Sequence, residues 1–197
     1  MARDTRERIV AVARDLIHGA SLAEVSTEDV CRAAGVHKGS LYHFFPSKEV
    51  LAGAVLEHNW DMMHAMLEEA FTGDVPPLDR IDRFVDGFAR MLAAMRERFG
   101  ATPGCPLGGL ATEVARQGED GRARAGRVLS SWTSYFAAAV SEAKGRGEVP
   151  AGVDPAGAAL RVLALMQGLA LLAEARDDPA LMLLAKADIR LLLQATH

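Results

Sequence analysis

The stretch "STEDVCRAAGVHKGSLYHFFPSKEVL", residues 26–51, decides the fold of this chain. Ser26 can cap a helix, and Asp29 stands three residues on, where a capping box places an acidic side chain. Gly35 suits the left-handed turn that ends this helix, and the letters "KGSLYHFF" form a second short helix until Pro46 stops it. Two short helices joined by a glycine turn predict a helix-turn-helix, whose second helix enters the DNA major groove.

The outer face of the second helix favours DNA binding over a generic helical hairpin. Its apolar residues can point inward: Leu41, Phe44 and Phe45. The residues left outside are Lys38, Gly39, Ser40, Tyr42 and His43. An aromatic side chain exposed beside a lysine and a serine is unusual on a solvated surface, but its hydroxyl fits a phosphate contact. A glycine on this face also lets the backbone approach DNA closely.

The same 26 residues resemble the DNA-binding region of the TetR/AcrR family of transcriptional regulators. The matching features are the capped start, the "AAGV" turn, the "KGSLY" core, the Phe before "PSK", and the "KE" that opens the next helix. The resemblance extends to the plan of the chain, with three N-terminal helices for DNA and the rest for ligand binding and dimerisation. It implies an all-α protein that binds a palindromic operator in double-stranded DNA.

The resemblance also implies roles for single residues. Thr27 would contact a phosphate, Tyr42 and Lys48 would hold phosphates on either side, and the residues nearest the bases would be Lys38, Gly39 and Ser40. Lys48 would be helped by the positive N-terminal end of its helix. Two departures from the family pattern add residues to the interface: His37 stands where a small polar residue is common, and His43 precedes Phe44 where an aromatic-His pair is frequent.

Composition and charge limit the other classes of function. The net charge is −4, but residues 1–48 carry one more basic than acidic side chain, which permits a local DNA contact. The most apolar stretch, 162–173, contains Gln167 and falls short of the ~20 residues of a membrane span. With only two cysteines, Cys31 and Cys105, we expect a reducing, cytoplasmic location, no disulfide framework and no structural zinc or other metal.

Helical spacing predicts about nine helices, and the family resemblance implies that they form two domains. The helix-turn-helix of residues 27–46 lies in a DNA-binding domain of residues 1–60, and residues 61–197 form the ligand-binding and dimerisation domain. After the prolines of "TGDVPPLD", helices are expected up to Gly100, from about 106 to 117, and from about 121 to 143. The last two helices, roughly 154–175 and 178–195, are rich in Ala, Leu and Met.

The last two helices are the expected dimer interface. The first of them is apolar nearly all round, so it must be buried, and small residues would allow close helix approach. These small residues are Gly157, Ala158, Ala164, Gly168 and Ala170. The family resemblance implies a four-helix bundle made from two protomers. A monomer that holds these helices in its own core is the alternative.

Candidate effector-binding residues lie on the central helices, by the plan of the family. They are Phe88, Met91, Met95 and Phe99 on the fifth helix, Trp132, Tyr135 and Phe136 on the seventh, and Met166 on the eighth. Such residues also build ordinary cores, but Trp132 and Tyr135 each carry a polar tip that a ligand can use. No acidic cluster indicates a cationic ligand, so an apolar or electrophilic effector without any further cofactor is expected.

Cys105, in "TPGCPLGG", is the last candidate. If Pro106 takes the first position of the sixth helix, Cys105 lies at the N-cap or just before it, where the helix dipole favours the thiolate. The motif resembles a branch of the family that includes the N-ethylmaleimide-responsive repressors, in which this cysteine senses electrophiles or oxidants. Cys105 is therefore a sensor or a small packing residue, and Cys31 a small buried residue.

Other classes of function have little support in this sequence. An enzyme would need a base beside Cys105, but no histidine falls in the C-terminal helices except His197, and no phosphate loop or metal-binding pair occurs. A helical adaptor would leave residues 26–51 unexplained. We therefore expect a repressor released from DNA by an effector or by thiol modification, with an activator as the alternative.

Overall fold

The computed structural model describes residues 2–195, and His197 lies outside them. The described residues form α-helices and one 3₁₀ helix, without a strand, which confirms the all-α prediction. The helices are α1 (Ala2–Gly19), α2 (Thr27–Ala34), α3 (Lys38–Phe44), α4 (Lys48–Phe71), α5 (Pro77–Phe99), α6 (Gly108–Ala115), α7 (Glu119–Gly145), α8 (Pro155–Arg176) and α9 (Ala185–Leu192), and the 3₁₀ helix covers Pro179–Leu184 before α9.

The predicted start of α2 and the predicted ends of α2 and α5 are confirmed. Ser26 Oγ accepts a bond of 3.1 Å from the Asp29 backbone N–H, and an Asp29 carboxylate oxygen accepts one of 3.1 Å from the Ser26 N–H. This reciprocal capping box starts α2. Gly35 ends α2 at φ +62°, and Gly100 ends α5 at φ +82°, both in the left-handed region that favours glycine.

Two predicted boundaries are wrong. The sixth helix begins at Gly108 with Leu107 as its N-cap, because Pro106 lies in a turn before it. The last helix does not run unbroken from 178. Asp178 caps a 3₁₀ helix through a bond of 3.0 Å from the Ala180 N–H, and this tighter winding buries Met182 completely before α9 begins.

The chain divides into two compact units. The first unit contains residues 2–62 and 106–128, so it holds α1 to α3, most of α4, all of α6 and the start of α7. Ile9, Leu41 and Phe45 lie in its core, each at most 1% exposed. Burial of such side chains is the main force that holds three short helices together.

The turn before α6 is fixed inside the first unit. Asn59 on α4 is 2% exposed, and its Nδ2 donates a bond of 2.9 Å to the Pro106 carbonyl. The Leu22 N–H donates to the Glu113 carboxylate at 3.4 Å. The entry of α6 is thus bonded to α4, and α6 itself to the loop between α1 and α2.

The second unit contains residues 63–105 and 129–195. Its 3₁₀ helix packs on both α5 and α8, and ion pairs join α9 to α5. The Arg190 guanidinium lies 2.7 Å from an Asp79 oxygen and 2.6 Å from an Asp82 oxygen, while Lys186 Nζ lies 3.0 Å from Asp86. The last helices therefore have fixed positions against α5.

By length and composition alone, α8 could cross a membrane. It contains an apolar window with a mean hydropathy of 1.7, and this window is longer than the 162–173 stretch considered in the sequence analysis. In this structure 44% of that window is buried. One such helix is equally typical of the core or the subunit interface of a water-soluble helical protein.

Candidate nucleic-acid interface and effector-binding residues

Helix α3 separates its buried and exposed side chains as the sequence predicts. Leu41 is fully buried and Phe45 is 1% exposed, whereas Phe44 is half-buried. Tyr42, one residue after Leu41, keeps 39% of its surface exposed. The core therefore fixes the rotation of α3 and leaves one polar and aromatic face outside.

Lys38 at the start of α3 forms an ion pair with Glu28 in the first turn of α2. Lys38 Nζ lies 2.5 Å from Glu28 Oε1, and both side chains are more than half exposed. The hydrogen bond from Lys38 lowers the pKa of Glu28, and the same bond raises the pKa of Lys38. Glu28 is a residue that sequence reasoning missed, because it lies in another helix, ten positions away.

Thr27 and Tyr42 approach each other on the same side of the helix-turn-helix. Thr27 Oγ1 lies 3.5 Å from the Tyr42 hydroxyl, and Lys38 Nζ lies 6.0 Å from the centre of the Tyr42 ring. The structure therefore brings together three of the predicted DNA-contacting side chains, one from α2 and two from α3.

The remaining predicted DNA contacts lie at or near the ends of α3 and α4. Exposed residues are His37, which is the N-cap of α3, and Gly39, Ser40 and His43. A Cβ added at Gly39 would meet no atom within 4 Å, so its backbone is open to a partner. Lys48, the first residue of α4, is half-buried, and its Nζ lies 3.4 Å from the Ala23 carbonyl.

In the second unit, Phe88 and Trp132 belong to one buried aromatic cluster. Both side chains are fully buried, with ring centres 6.2 Å apart, and Phe84 and Phe136 complete the cluster. Trp132 Nε1 has no hydrogen-bond partner among the described residues. A buried indole N–H without an acceptor is energetically costly.

Tyr135 faces α4 rather than this cluster. Its hydroxyl donates to the Glu68 carboxylate and lies 2.8 Å from His64 Nε2, while its ring packs edge-on against Phe71. Burial, followed by the bond to Glu68, raises the pKa of Tyr135 to about 12. Sequence reasoning missed His64 and Glu68, because no local pattern shows that α4 and α7 place them beside Tyr135.

The other predicted effector residues differ in exposure. Met166 and Phe136 are fully buried, and the half-buried side chains are Met91, Met95 and Phe99. The structure therefore provides a buried aromatic centre and a partly exposed pair of methionines on α5, Met91 and Met95, which we call the methionine edge. Whether any of them binds an effector stays a prediction.

Cys105 lies neither at the N-cap of α6 nor directly before it, which is a correction to the sequence analysis. Leu107 is the cap, and Cys105 comes before the turn at Pro106, so the argument from the helix dipole does not apply. Cys105 is half-buried, and its Sγ accepts a bond of 3.5 Å from Gln167 Nε2 on α8. Neither Cys105 nor the buried Cys31 forms a disulfide.

The segment before Cys105 passes close to α8 and bonds to Asp177, the residue that ends this helix. Gly104 has φ +69°, and a Cβ there would collide with the Glu174 side chain. Asp177 Oδ1 accepts bonds of 3.0 Å from both the N–H and the hydroxyl of Thr102, and Arg96 donates to both Asp177 oxygens at 2.8 and 2.9 Å.

An apolar face is exposed on the last helices. Among the described residues, six of the nine exposed large hydrophobic side chains fall there: Leu160, Leu171 and Leu172 on α8, Leu183 and Leu184 on the 3₁₀ helix, and Leu191 on α9. The small Ala164 and Gly168 are exposed on the same stripe of α8 as Leu160 and Leu171. An exposed stripe of apolar and small residues such as this one on α8 is typical of interaction surfaces.

Two protein-family profiles match this chain. The profile of bacterial regulatory proteins of the tetR family matches residues 9–55, and the profile of tetracyclin repressor-like C-terminal domains matches residues 77–189. The first match contains the whole helix-turn-helix, and the second covers more than half of the chain.

Individual relatives agree with these profiles. The transcriptional regulator AcuR of Cereibacter sphaeroides is 33% identical over 134 residues, covering 68% of this chain and 59% of AcuR. The repressor NemR of Escherichia coli K12 is 30% identical over 120 residues, covering 60% of this chain and 58% of NemR. The crystal structure of regulatory protein TetR from Rhodobacter sphaeroides is 27% identical, with a TM-score of 0.80, and covers 93% of this chain and 95% of that one. The alignments to AcuR and NemR thus span less than two thirds of each relative.

Proposed function

We propose that this chain, which belongs to the TetR family of bacterial regulatory proteins, represses transcription as a homodimer bound to a palindromic operator. Members of the family are DNA-binding transcriptional regulators rather than enzymes, so the sequence-based family assignment and the expectation of a non-enzyme are confirmed. The division into a DNA-binding domain of residues 1–60 and a ligand-binding domain of residues 61–197 remains part of this proposal.

The observation that carries the DNA-binding role is the exposed face of α3. Lys38, Ser40 and Tyr42 are exposed beside Gly39 while Leu41 and Phe45 are buried, so polar donors face outward from a rigid helix. Lysine, serine and tyrosine side chains are common donors to DNA phosphates and base edges. Contacts by Thr27, His37, His43 and Lys48 complete the proposed interface, in the cytoplasm where the operator lies.

The apolar face of the last helices supports the homodimer. Leu160, Leu171 and Leu191 are each more than 60% exposed, which a water-soluble monomer rarely tolerates in one region. Pairing α8 and α9 with a second copy would bury them in a four-helix bundle. The dimer would place two α3 helices in successive major grooves, ~34 Å apart.

Dimerisation is tested by the molar mass of a double variant, Leu160→Asp with Leu171→Asp, in light scattering. The double variant should run as a monomer, since two charges cannot be buried in an apolar bundle. Val50→Asp places the same charge on another exposed apolar residue and should remain a dimer. A monomeric wild-type chain contradicts the proposal.

A small-molecule effector is proposed to bind around Trp132. The unpartnered indole N–H favours a mainly apolar ligand with one acceptor, packed against Phe88 and reached from the methionine edge of α5. Such binding would alter the packing of α5 against α7 and thereby release DNA. A ligand that binds here should quench tryptophan fluorescence. The quenching should be abolished in the variant Trp132→Phe, which leaves Trp60 in place, and this loss identifies the site.

Thiol modification of Cys105 is a second proposed route to release. Sγ is partly accessible, and alkylation would break its contact with Gln167 on α8. N-ethylmaleimide should release the wild-type protein from DNA but leave the Cys105→Ser variant bound. Release of both proteins assigns Cys105 a packing role only.

The effect of deleting the gene on expression in the cell distinguishes a repressor from an activator. Deletion of the gene should raise expression of its own promoter and of the adjacent gene, because an empty operator no longer blocks the polymerase. A fall in expression identifies an activator instead.

A further inference from the structure

A cleft of about 250 Å³ opens between α4 and α5 within the second unit. It is lined by Met66, Glu69 and Ala70 on α4 and by Arg83, Asp86, Gly87 and Arg90 on α5. None of these residues is among those proposed above to bind an effector around Trp132. The cleft is therefore a separate feature of this unit.

Two arginines on one face of α5 dominate the chemistry of the cleft. Arg83, Gly87 and Arg90 follow each other at helical spacings of four and three residues, so they lie in one row. Both arginines are exposed, and within residues 2–195 neither side chain has a hydrogen-bond or ion-pair partner. On the same helix, by contrast, Arg80 pairs with Glu142 at 2.7 Å and Arg96 pairs with Asp177 at 2.8 Å.

Gly87 creates the space between these two arginines. Its backbone is ordinary helix, where glycine is a poor choice for stability. A Cβ there would lie 3.3 Å from Met66 Sδ and 3.8 Å from Arg90 Nη2. The missing side chain therefore keeps the floor of the cleft open beneath the guanidinium of Arg90.

The charge balance of the cleft favours an anion. Asp86 is neutralised by Lys186, whose Nζ lies 3.0 Å from both carboxylate oxygens. Glu69 then opposes two guanidinium groups. We propose that this cleft binds a small anion through a carboxylate or phosphate group held between Arg83 and Arg90.

The chemistry and size of the cleft define the ligand class. Guanidinium groups bind carboxylates and phosphates through paired, charge-assisted hydrogen bonds. A volume of about 250 Å³ equals that of about eight water molecules at ~30 Å³ each, which suits a small metabolite or free phosphate rather than a drug-sized compound. Met66 offers an apolar contact to the body of a short organic acid.

Nuclear magnetic resonance titration of the full chain with succinate and, separately, with inorganic phosphate tests this site. At least one probe should shift the Gly87 amide signal saturably, and the probe that does so identifies the favoured group. In the double variant Arg83→Gln with Arg90→Gln, binding should weaken at least about tenfold. Glu69→Gln should tighten it about two- to fivefold, because a like charge is removed from the cleft.

The control is Arg127→Gln, which removes an exposed arginine on α7 outside the cleft. It should bind the probe as the wild type does. The proposal is overturned if neither probe saturates by about 20 mM, if the double variant binds like the wild type, or if Arg127→Gln weakens binding equally. Circular dichroism should be unchanged in all variants, since the substituted side chains are exposed.

Discussion

Glu28 holds Lys38 at 2.5 Å, so the lysine proposed to reach DNA is already paired with a carboxylate of its own helix-turn-helix. A phosphate that approaches α3 must compete with this carboxylate. Because both side chains are largely exposed, the pair is weak and exchangeable. If Lys38 contacts DNA as proposed, Glu28 would lower DNA affinity by competing with the phosphate for Lys38.

Replacement of Glu28 by glutamine should strengthen DNA binding. The change frees Lys38 and removes a negative charge near the phosphates, so affinity should rise up to about fivefold at low salt, and less at high salt. Fluorescence anisotropy with labelled duplex DNA measures the effect. Asp61→Asn removes an exposed charge on α4 and should have less effect; equal gains from both variants would point to net charge alone.

Replacement of Ser26 by alanine should destabilise the protein by about 1 kcal/mol, because the Asp29 N–H loses its capping oxygen. Chemical denaturation measures the change. Ser40→Ala is the matched control: Ser40 is exposed on α3, so its replacement should leave stability nearly unchanged. An unchanged midpoint in Ser26→Ala would mean that the capping box contributes nothing to folding.

The two glycines that flank the Cys105 turn should respond in opposite ways to alanine. Gly104→Ala introduces a Cβ at φ +69° and against Glu174, and should cost about 1 kcal/mol or more. Gly109 lies in α6 with no atom within 4 Å of an added Cβ, so Gly109→Ala should be neutral or stabilising by about 0.5 kcal/mol. Thermal unfolding of the two variants distinguishes these effects; equal losses would contradict the structural account.

The stability difference between the wild type and Asp177→Asn should depend on pH. The bond from Arg96, followed by those from Thr102, holds the pKa of Asp177 well below its ordinary value of 3.8. A lowered pKa in the folded state contributes stability above the unfolded value and loses it as the pH falls. The variant should therefore be less stable at pH 7, and the gap should close progressively below about pH 4. A gap that stays constant from pH 7 to pH 3 would mean that the charge of Asp177 is irrelevant.

Local signals in the sequence predict the helix-turn-helix well. Ser26 and Asp29 form the expected box, Gly35 takes the expected backbone conformation, and Leu41 is buried as its position requires. Each of these features depends on neighbours within a few residues, so the sequence alone contains the information. The exposed face of α3 then follows from the burial of the opposite face.

Features that depend on distant residues could not be predicted in the same way. Glu28 and Lys38 are ten positions apart, and Tyr135 is separated by about 70 positions from both His64 and Glu68. The sequence predicts the start of α6 about two residues too early, because the Pro106 carbonyl bonds to Asn59, a contact that only tertiary packing creates. Local propensity favoured Pro106 as the first helical residue, and this packing places it in a turn instead.

The central claim is that the exposed face of α3 reads an operator. The most direct test is a gel-shift titration of the unliganded full chain on the DNA upstream of its own gene, with excess unrelated DNA as competitor. The account predicts a specific complex that Tyr42→Phe weakens about tenfold, because a hydrogen bond to a charged phosphate is lost. Absence of a complex that survives the competitor, or full binding by Tyr42→Phe and Lys38→Ala, would contradict it.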